Sequence, residues 1–237
     1  MVINAENAYI SRKSNSIEFP DDEDDRMIKT MSVGSLYVSD RYCFLRLGVV
    51  EGNKAEICMA VQSAGGVFMD TEKYMKRCYE LAISAGKKGY DTFGALIVHN
   101  DEILEEAENT ADYQQGLFGH AEFNLVHKCA NKYSDNVLRE SVLYTSCAPC
   151  ERCLTAIASL GVRTVVYGVS YKSFSLLIPT DYEPIDYEGL LGKMNIPLKM
   201  IGPILEDEGM HVFEYWGGEF RPLEELIAEM DEIKKRQ

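Results

Sequence analysis

The 237-residue chain can bury one substantial core with a short extension left over, and its 46% hydrophobic and 26% charged content is that of an ordered globular protein. With 38 acidic against 24 basic residues the net charge is −14, the reverse of the basic footprint needed to grip a phosphate backbone, so a nucleic-acid partner is disfavoured. The longest apolar runs, such as Leu176-Leu177-Ile178, are too short to span a bilayer, and Met1-Val2-Ile3-Asn4 lacks the features of a secretory signal, so a cytoplasmic location and no membrane partner are expected.

Residues 1–68 read as an N-terminal extension, acidic and partly disordered, with Asp21 to Asp25 forming a solvated run. Within it, Arg41 to Val50 and Lys54 to Val61 flank Glu51-Gly52-Asn53 and predict a β-hairpin. Helical periodicity starts after Asp70, an N-cap residue. Tyr74, Cys78, Leu81, Ala82 and Ala85 share one face, and the glycines at 86 and 89 are expected to end the helix. Gly94 to His99 and Glu102 to Glu106 then read as paired strands across Asn100-Asp101.

A helix is predicted from near His120 to about Asn131, and a strand over Ser141 to Thr145. Pro149 is expected to open the next helix, which buries Leu154, Ile157 and Ala158 and stops at Gly161. Thr164 to Val169 is a buried strand, followed by a helix over Tyr187 to Met194 and a strand over Leu198 to Ile204. Pro222 opens a last amphipathic helix, with Leu223, Leu226, Ile227, Met230 and Ile233 on one side. Strand–helix alternation from residue 141 onward implies parallel strands, so the fold class is α/β, with an antiparallel hairpin on one side of a mixed sheet. Residues 69–237 are expected to form one domain.

Seven cysteines are an odd count, with Cys147, Cys150 and Cys153 bunched and Cys43, Cys58, Cys78 and Cys129 scattered. The scattered four read as small core residues, and the bunch reads as metal chemistry rather than crosslinks. Two short segments carry the chemistry: His120-Ala121-Glu122 and Pro149-Cys150-Glu151-Arg152-Cys153. Alone, each is a common accident. In this order, each opening a predicted helix, they match the H-x-E…P-C-x-x-C signature of zinc deaminases.

The spacing has a physical rationale. Cys150 and Cys153 are three apart and face one side of a first helical turn, where the positive helix end favours thiolates. His120 supplies a third ligand, which leaves one position of a tetrahedral Zn2+ for water. Glu122 is next to the ligands without being one, the place for a proton shuttle that serves the water, the ring nitrogen and the departing amine. Cys147 extends the run to C-x2-C-x2-C, but an iron–sulfur site would want a cysteine and a proline where Ile157 and Ala158 stand, so it is read as a packing residue.

Residues 73 to 170 resemble the cytidine deaminase-like superfamily, in the branch with guanine deaminases, fungal cytosine deaminase and tRNA adenosine deaminases. The resemblance rests on Phe93-Gly94-Ala95-Leu96-Ile97-Val98, Asn109, His120-Ala121-Glu122, Leu143-Tyr144-Thr145-Ser146-Cys147 and Pro149-Cys150. It continues through Cys153, Ala156-Ile157 and Val165-Val166-Tyr167-Gly168. It implies a three-layer α/β/α fold on a five-stranded mixed sheet, one zinc per subunit and a homodimer. It also implies that Asn109 contacts the base and that the Ala121 backbone amide helps hold the substrate.

The chain departs from the branch at Gly116-Leu117-Phe118-Gly119, where Asp-Pro-Thr-Ala is common, at Ala148, and at Glu151-Arg152. Phe118 or Trp216 is expected to cover the base, with plain packing of the C-terminal aromatics Phe213-Glu214-Tyr215-Trp216 against the sheet as the equal alternative. His99, His127 and His211 have no partner motif and read as structural or surface residues. The leading expectation is a hydrolytic deaminase of a small nucleobase or nucleoside, guanine first and cytosine second. A tRNA adenosine deaminase is the runner-up, and an inactive zinc-stabilised binding module is the reading from another class.

Overall fold

In the computed structural model the described residues are 9–11, 16–18, 31–38, 42–51, 54–63, 68–111, 118–179 and 186–236. The chain divides into two compact units, Met1–Thr71 and Glu72–Gln237. In the first, strands β1 (Tyr9–Ser11) and β2 (Ser16–Glu18) pair antiparallel. The longer strands β3 (Met31–Val38), β4 (Tyr42–Glu51), β5 (Lys54–Ser63) and β6 (Phe68–Met69) form an antiparallel sheet in that order. The hairpin expected on either side of residues 51–53 is the β4–β5 pair, with Glu51 opposite Lys54. The acidic run at 21–25 and the side chains of Cys43 and Cys58 lie outside the described residues.

The second unit begins with α1 (Thr71–Lys87) and the hairpin β7 (Gly94–His99) and β8 (Glu102–Glu108). Next come α2 (Ala121–Cys129), α3 (Asp135–Glu140), β9 (Val142–Cys147), α4 (Glu151–Leu160) and β10 (Thr164–Val169). The short α5 (Tyr171–Phe174), α6 (Tyr187–Met194), β11 (Lys199–Ile201), α7 (Glu206–Met210) and α8 (Leu223–Lys234) complete it. The strands form one five-stranded sheet in the order β11-β10-β9-β7-β8. β9, β10 and β11 run parallel, while β7 is antiparallel to both β9 and β8. This is the mixed α/β sheet expected from the alternation of elements.

The β7–β8 turn works as its sequence suggests. Asn100 and Asp101 both take left-handed backbone angles, φ 50° and 64°, which short polar side chains tolerate and a two-residue hairpin turn needs. Because side chains alternate along a strand, the sheet carries two cores. Ala95 and Ile97 of β7 and Leu143 of β9 join Leu125, Leu154, Ile157 and Leu191 in one cluster under α2, α4 and α6. On the other face Tyr144 meets Tyr74 of α1 with ring centroids 5.2 Å apart. Each large apolar side chain removed from water in this way contributes about 1.5–3 kcal/mol.

Several expected boundaries shift. Gly86 lies inside α1, one residue before its end, and is needed there because a Cβ would come within 2.3 Å of the Thr92 side chain; the turn at Gly89, φ 87°, follows the helix. Pro149 does not open α4: Cys150 is its N-cap and Pro149 precedes it. The strand expected over Leu198 to Ile204 is only Lys199–Ile201. The apolar side of α8 is no core face, since none of its residues is buried. The helix docks as an outer layer on the segments around residues 175–177 and 211–218. No helix among the described residues is long and apolar enough to cross a membrane.

Candidate metal and deaminase site

Two helix starts meet at the C-terminal end of β9. His120 is the N-cap of α2 and Cys150 the N-cap of α4, both with extended backbone angles, and Cys153 sits one turn into α4. His120 is held in place by the strap before it: the Thr110 N–H donates to the Gly119 carbonyl at 2.7 Å, and the Asn124 amide donates to that same carbonyl at 3.2 Å and to the Glu108 carbonyl at 2.8 Å. The strap requires glycine at 119, where a Cβ would lie 2.4 Å from the Ala111 nitrogen.

The three donor atoms converge. His120 Nδ1 lies 3.7 Å from Cys150 Sγ and 3.4 Å from Cys153 Sγ, and the two sulfurs are 3.5 Å apart. A tetrahedral zinc with ordinary bond lengths holds ligand atoms at roughly 3.6 Å for sulfur–nitrogen and roughly 3.8 Å for sulfur–sulfur. The residues therefore fit the ion with shifts of only a few tenths of an ångström. Cys147 is absent from this donor group, as expected.

The electrostatics suit a cation. Hydrogen bonding with Cys153 and His120 draws Cys150 down to about 3 against the cost of burial. The same pairing, together with burial, pushes Cys153 up. Two sulfurs in contact cannot both carry charge without a cation between them, and zinc lifts that conflict. The Arg152 guanidinium, 3.4 Å from His120 Nε2, opposes a positive charge on the ring.

Glu122 is 5% exposed on the first turn of α2. Burial pushes its carboxyl above the ordinary range, while a Thr145 hydrogen bond pulls the other way. Thr145 Oγ1 stands 2.8 Å from Glu122 Oε1 and 3.1 Å from the Cys147 carbonyl. A hydroxyl has one hydrogen and two lone pairs. It donates to Glu122 when the carboxylate is charged, and turns to the Cys147 carbonyl and accepts when Glu122 is protonated. Thr145 can thus keep a hydrogen bond to Glu122 in either protonation state of the carboxyl. Thr145→Val is expected to lower kcat by about 10- to 100-fold, the worth of a hydrogen bond to a charged group, with zinc retained and Thr145→Ser restoring most of the rate. Steady-state kinetics with metal analysis checks it.

Asn109 follows β8 and is fully buried, yet its Oδ1 has no hydrogen-bond partner among the described residues. Ala121 is buried at the first position of α2, where a helix leaves its N–H without an intrahelical acceptor. Trp216 stacks on Phe174, with centroids 5.8 Å apart, contacts Phe93 and Phe213 edge-on or tilted, and donates from Nε1 to Asp91 Oδ1 at 2.8 Å. Phe118 is placed differently. Its side chain is 68% exposed and its ring meets Phe123, so it is not brought to the donor group.

Two residues of the site were not singled out in the sequence. Thr145 looks like any strand residue. Asp91 carries a faint signal, an acidic residue in the short loop just before a buried strand. Burial raises its carboxyl pKa, and Trp216, His120 and Asn109 all pull it back.

Residues 69–169 match the family described as the cytidine and deoxycytidylate deaminase zinc-binding region. A guanine deaminase of Bacillus subtilis is 33% identical over 106 residues, 44% of this chain and 67% of the relative. The chain belongs to the cytidine deaminase-like superfamily. A Schizosaccharomyces pombe protein named "Probable cytosine deaminase" is 28% identical over 151 residues, 61% of this chain and 91% of that one. Proteins named as tRNA-specific adenosine deaminases match as well. The solved structure of a guanine deaminase from Nitrosomonas europaea superposes with a TM-score of 0.51 at 18% identity, covering 68% of this chain and 87% of that one, which shows the shared fold. The protein is thus a deaminase of this zinc-dependent family, a hydrolase of C–N bonds, and Zn2+ is its cofactor.

Proposed function

We propose that this deaminase acts on a free nucleobase, guanine before cytosine, with His120, Cys150 and Cys153 as zinc ligands and Glu122 as the proton shuttle. The observation that carries the reading is the buried, hydroxyl-held Glu122 beside the three converging donors. A carboxylate buried at such desolvation cost is hard to account for in a purely structural metal site, which weighs against an inactive binding module.

Bound zinc supplies the acidification of water, lowering its pKa to about 7. With the ion held by His120, Cys150 and Cys153, Glu122 would take a proton from the attacking water and deliver it to the ring nitrogen beside the amino-bearing carbon. It later passes a proton to the leaving nitrogen, which departs as ammonia, and the ring keeps the oxygen as a carbonyl. The Ala121 amide and Asn109 orient the ring edge, and Trp216, in a cluster with Phe93, Phe174 and Phe213, is the candidate for the aromatic cover. Phe118 is the weakest of the assigned substrate contacts.

The net charge of −14 gives little purchase for a polynucleotide. An ammonia-release screen across free bases, nucleosides, nucleotides and a tRNA anticodon stem-loop tests the assignment. Turnover of guanine first and cytosine second, with little on RNA, is the expected result. Robust deamination of the stem-loop with no ammonia from any base would overturn the substrate while leaving the chemistry in place. We also propose a homodimer in a cytoplasmic setting, for which size-exclusion chromatography with light scattering and fractionation are the direct measurements; a monomer or a membrane-bound pool would contradict it.

A further inference from the structure

Strand β8 is the last of its sheet, with β7 on one side and, among the described residues, no strand on the other. The Asn109 N–H, just past its end, pairs inward with the Phe93 carbonyl, so alternation turns the Glu108 and Glu106 carbonyls away from β7. A bulge opposite Ile97 and Val98 leaves Leu104 with no opposite residue as well. Side chains of α2 and of the turn after it take all three carbonyls. The Asn124 amide donates to Glu108 at 2.8 Å, the Lys128 ammonium to Glu106 at 2.6 Å, and the Tyr133 hydroxyl to Leu104 at 3.1 Å.

The ladder forms because two periods nearly agree. Two residues of an antiparallel strand advance ~6.8 Å and four residues of a helix ~6.0 Å. A helix running antiparallel beside the strand therefore meets every second carbonyl about once per turn. Both ends are reinforced. At the far end the Tyr133 hydroxyl also lies 3.0 Å from the Glu105 carboxylate, which pairs with Lys132. At the near end Asn124 Nδ2 also reaches Thr110 Oγ1 at 3.0 Å and the Gly119 carbonyl at 3.2 Å, directly before His120.

α2 buries Ala121, Leu125 and Cys129 in the core, but apolar burial is non-directional, whereas a hydrogen bond weakens steeply as its donor moves. The groups at the start of α2 tolerate little movement. Glu122 Oε1 is 2.8 Å from the Thr145 hydroxyl, and His120 Nδ1 is 3.4 and 3.7 Å from the two sulfurs. A misplacement of about 1 Å can cost a catalytic site on the order of 100-fold. We propose that Asn124, Lys128 and Tyr133 are positioning residues, which fix the register of α2 on the edge of β8 and through it the places of His120 and Glu122. The inference rests on the ligand and shuttle roles proposed above and deepens them.

Two variants of the full chain test it from opposite ends of the ladder, with zinc and cobalt(II) as the probes. Asn124→Ala puts a better helix former into α2, so a loss there does not come from helix propensity. Its zinc affinity, measured by chelator competition, is expected to fall about 10- to 100-fold, as for other residues that support metal ligands, and Asn124→Gln should recover part of it. Lys128→Met combined with Tyr133→Phe keeps both side-chain bodies and removes only the donors, well away from His120 along the chain. Zinc affinity should fall about 3- to 10-fold there, the worth of a hydrogen bond. The visible bands of the cobalt(II)-loaded protein, which report ligand geometry, should shift in both variants at temperatures where each is folded. Wild-type affinity and bands in Asn124→Ala, or in a double variant that merely melts earlier, would show that the ladder only seals the sheet edge and would overturn the proposal. If Asn124→Ala does not fold, the far pair decides alone, and if that pair does not fold, Tyr133→Phe decides by the same two readouts. Wild-type protein that takes up neither metal would remove the ligand reading and the proposal together.

Discussion

Glu122→Gln is expected to keep its zinc and lose turnover by a factor of about 10²–10⁴, the usual contribution of a positioned general acid–base. The substitution preserves the shape of the side chain and its hydrogen bond with Thr145, 2.8 Å away in the wild type. It removes only the ability to carry a proton. A buried amide carries no desolvated charge, so the variant should fold at least as well as the parent; burial is what raises the Glu122 pKa. Metal analysis together with ammonia release separates the two consequences. A Glu122→Gln enzyme with full activity would show that some other group moves the proton, and one that loses zinc would make Glu122 a ligand.

Cys153→Ala should have the opposite signature, with metal lost first and activity following. Removing a direct ligand must cost more than the roughly 10- to 100-fold in affinity typical of residues that only support ligands. The three donors lie within 4.8 Å of one another, and His120 and Cys150 alone cannot close that set. The same ligand chemistry sets a pH dependence. Zinc binds thiolates and neutral imidazole, so each ion taken up displaces protons. Cys153 is raised by its pairing with Cys150 and by burial, and His120 is raised by its bond with Cys150. Cys150 is drawn down, so it is at Cys153 and His120 that protons compete at higher pH than for free side chains, and zinc affinity should fall as pH drops. Titration with a chelator at several pH values measures this; affinity indifferent to pH, or a Cys153→Ala protein that still carries one zinc per chain, would contradict the ligand set.

Residue order was enough to read the donor set because each half of it is local and the two halves together match a known signature, although His120 meets Cys150 across 30 positions. Cys150 and Cys153 are one helical turn apart, and His120 and Glu122 open a single helix, so spacing largely dictates which way they point. The β7–β8 hairpin was equally legible, since Asn100-Asp101 specifies its own turn. The parallel strands β9 and β10 announced themselves through β-branched runs around a helix ended by Gly161, φ 107°.

The substrate side of the site depends on contacts that sequence spacing does not encode. Trp216 reaches Asp91 across 125 positions, and Thr145 reaches Glu122 across 23. The Asn109 side chain ends up fully buried with its Oδ1 without a partner among the described residues, and nothing about an isolated asparagine tells that beforehand. The last helix makes a related point: the periodicity of Leu223, Leu226, Ile227, Met230 and Ile233 marked the side that is half-buried, but only the structure shows that this side packs on the segments around 175–177 and 211–218 and not in the central core. Local chain geometry determined what chemistry this protein carries; only the packing of distant segments decided which polar atoms were left facing the substrate.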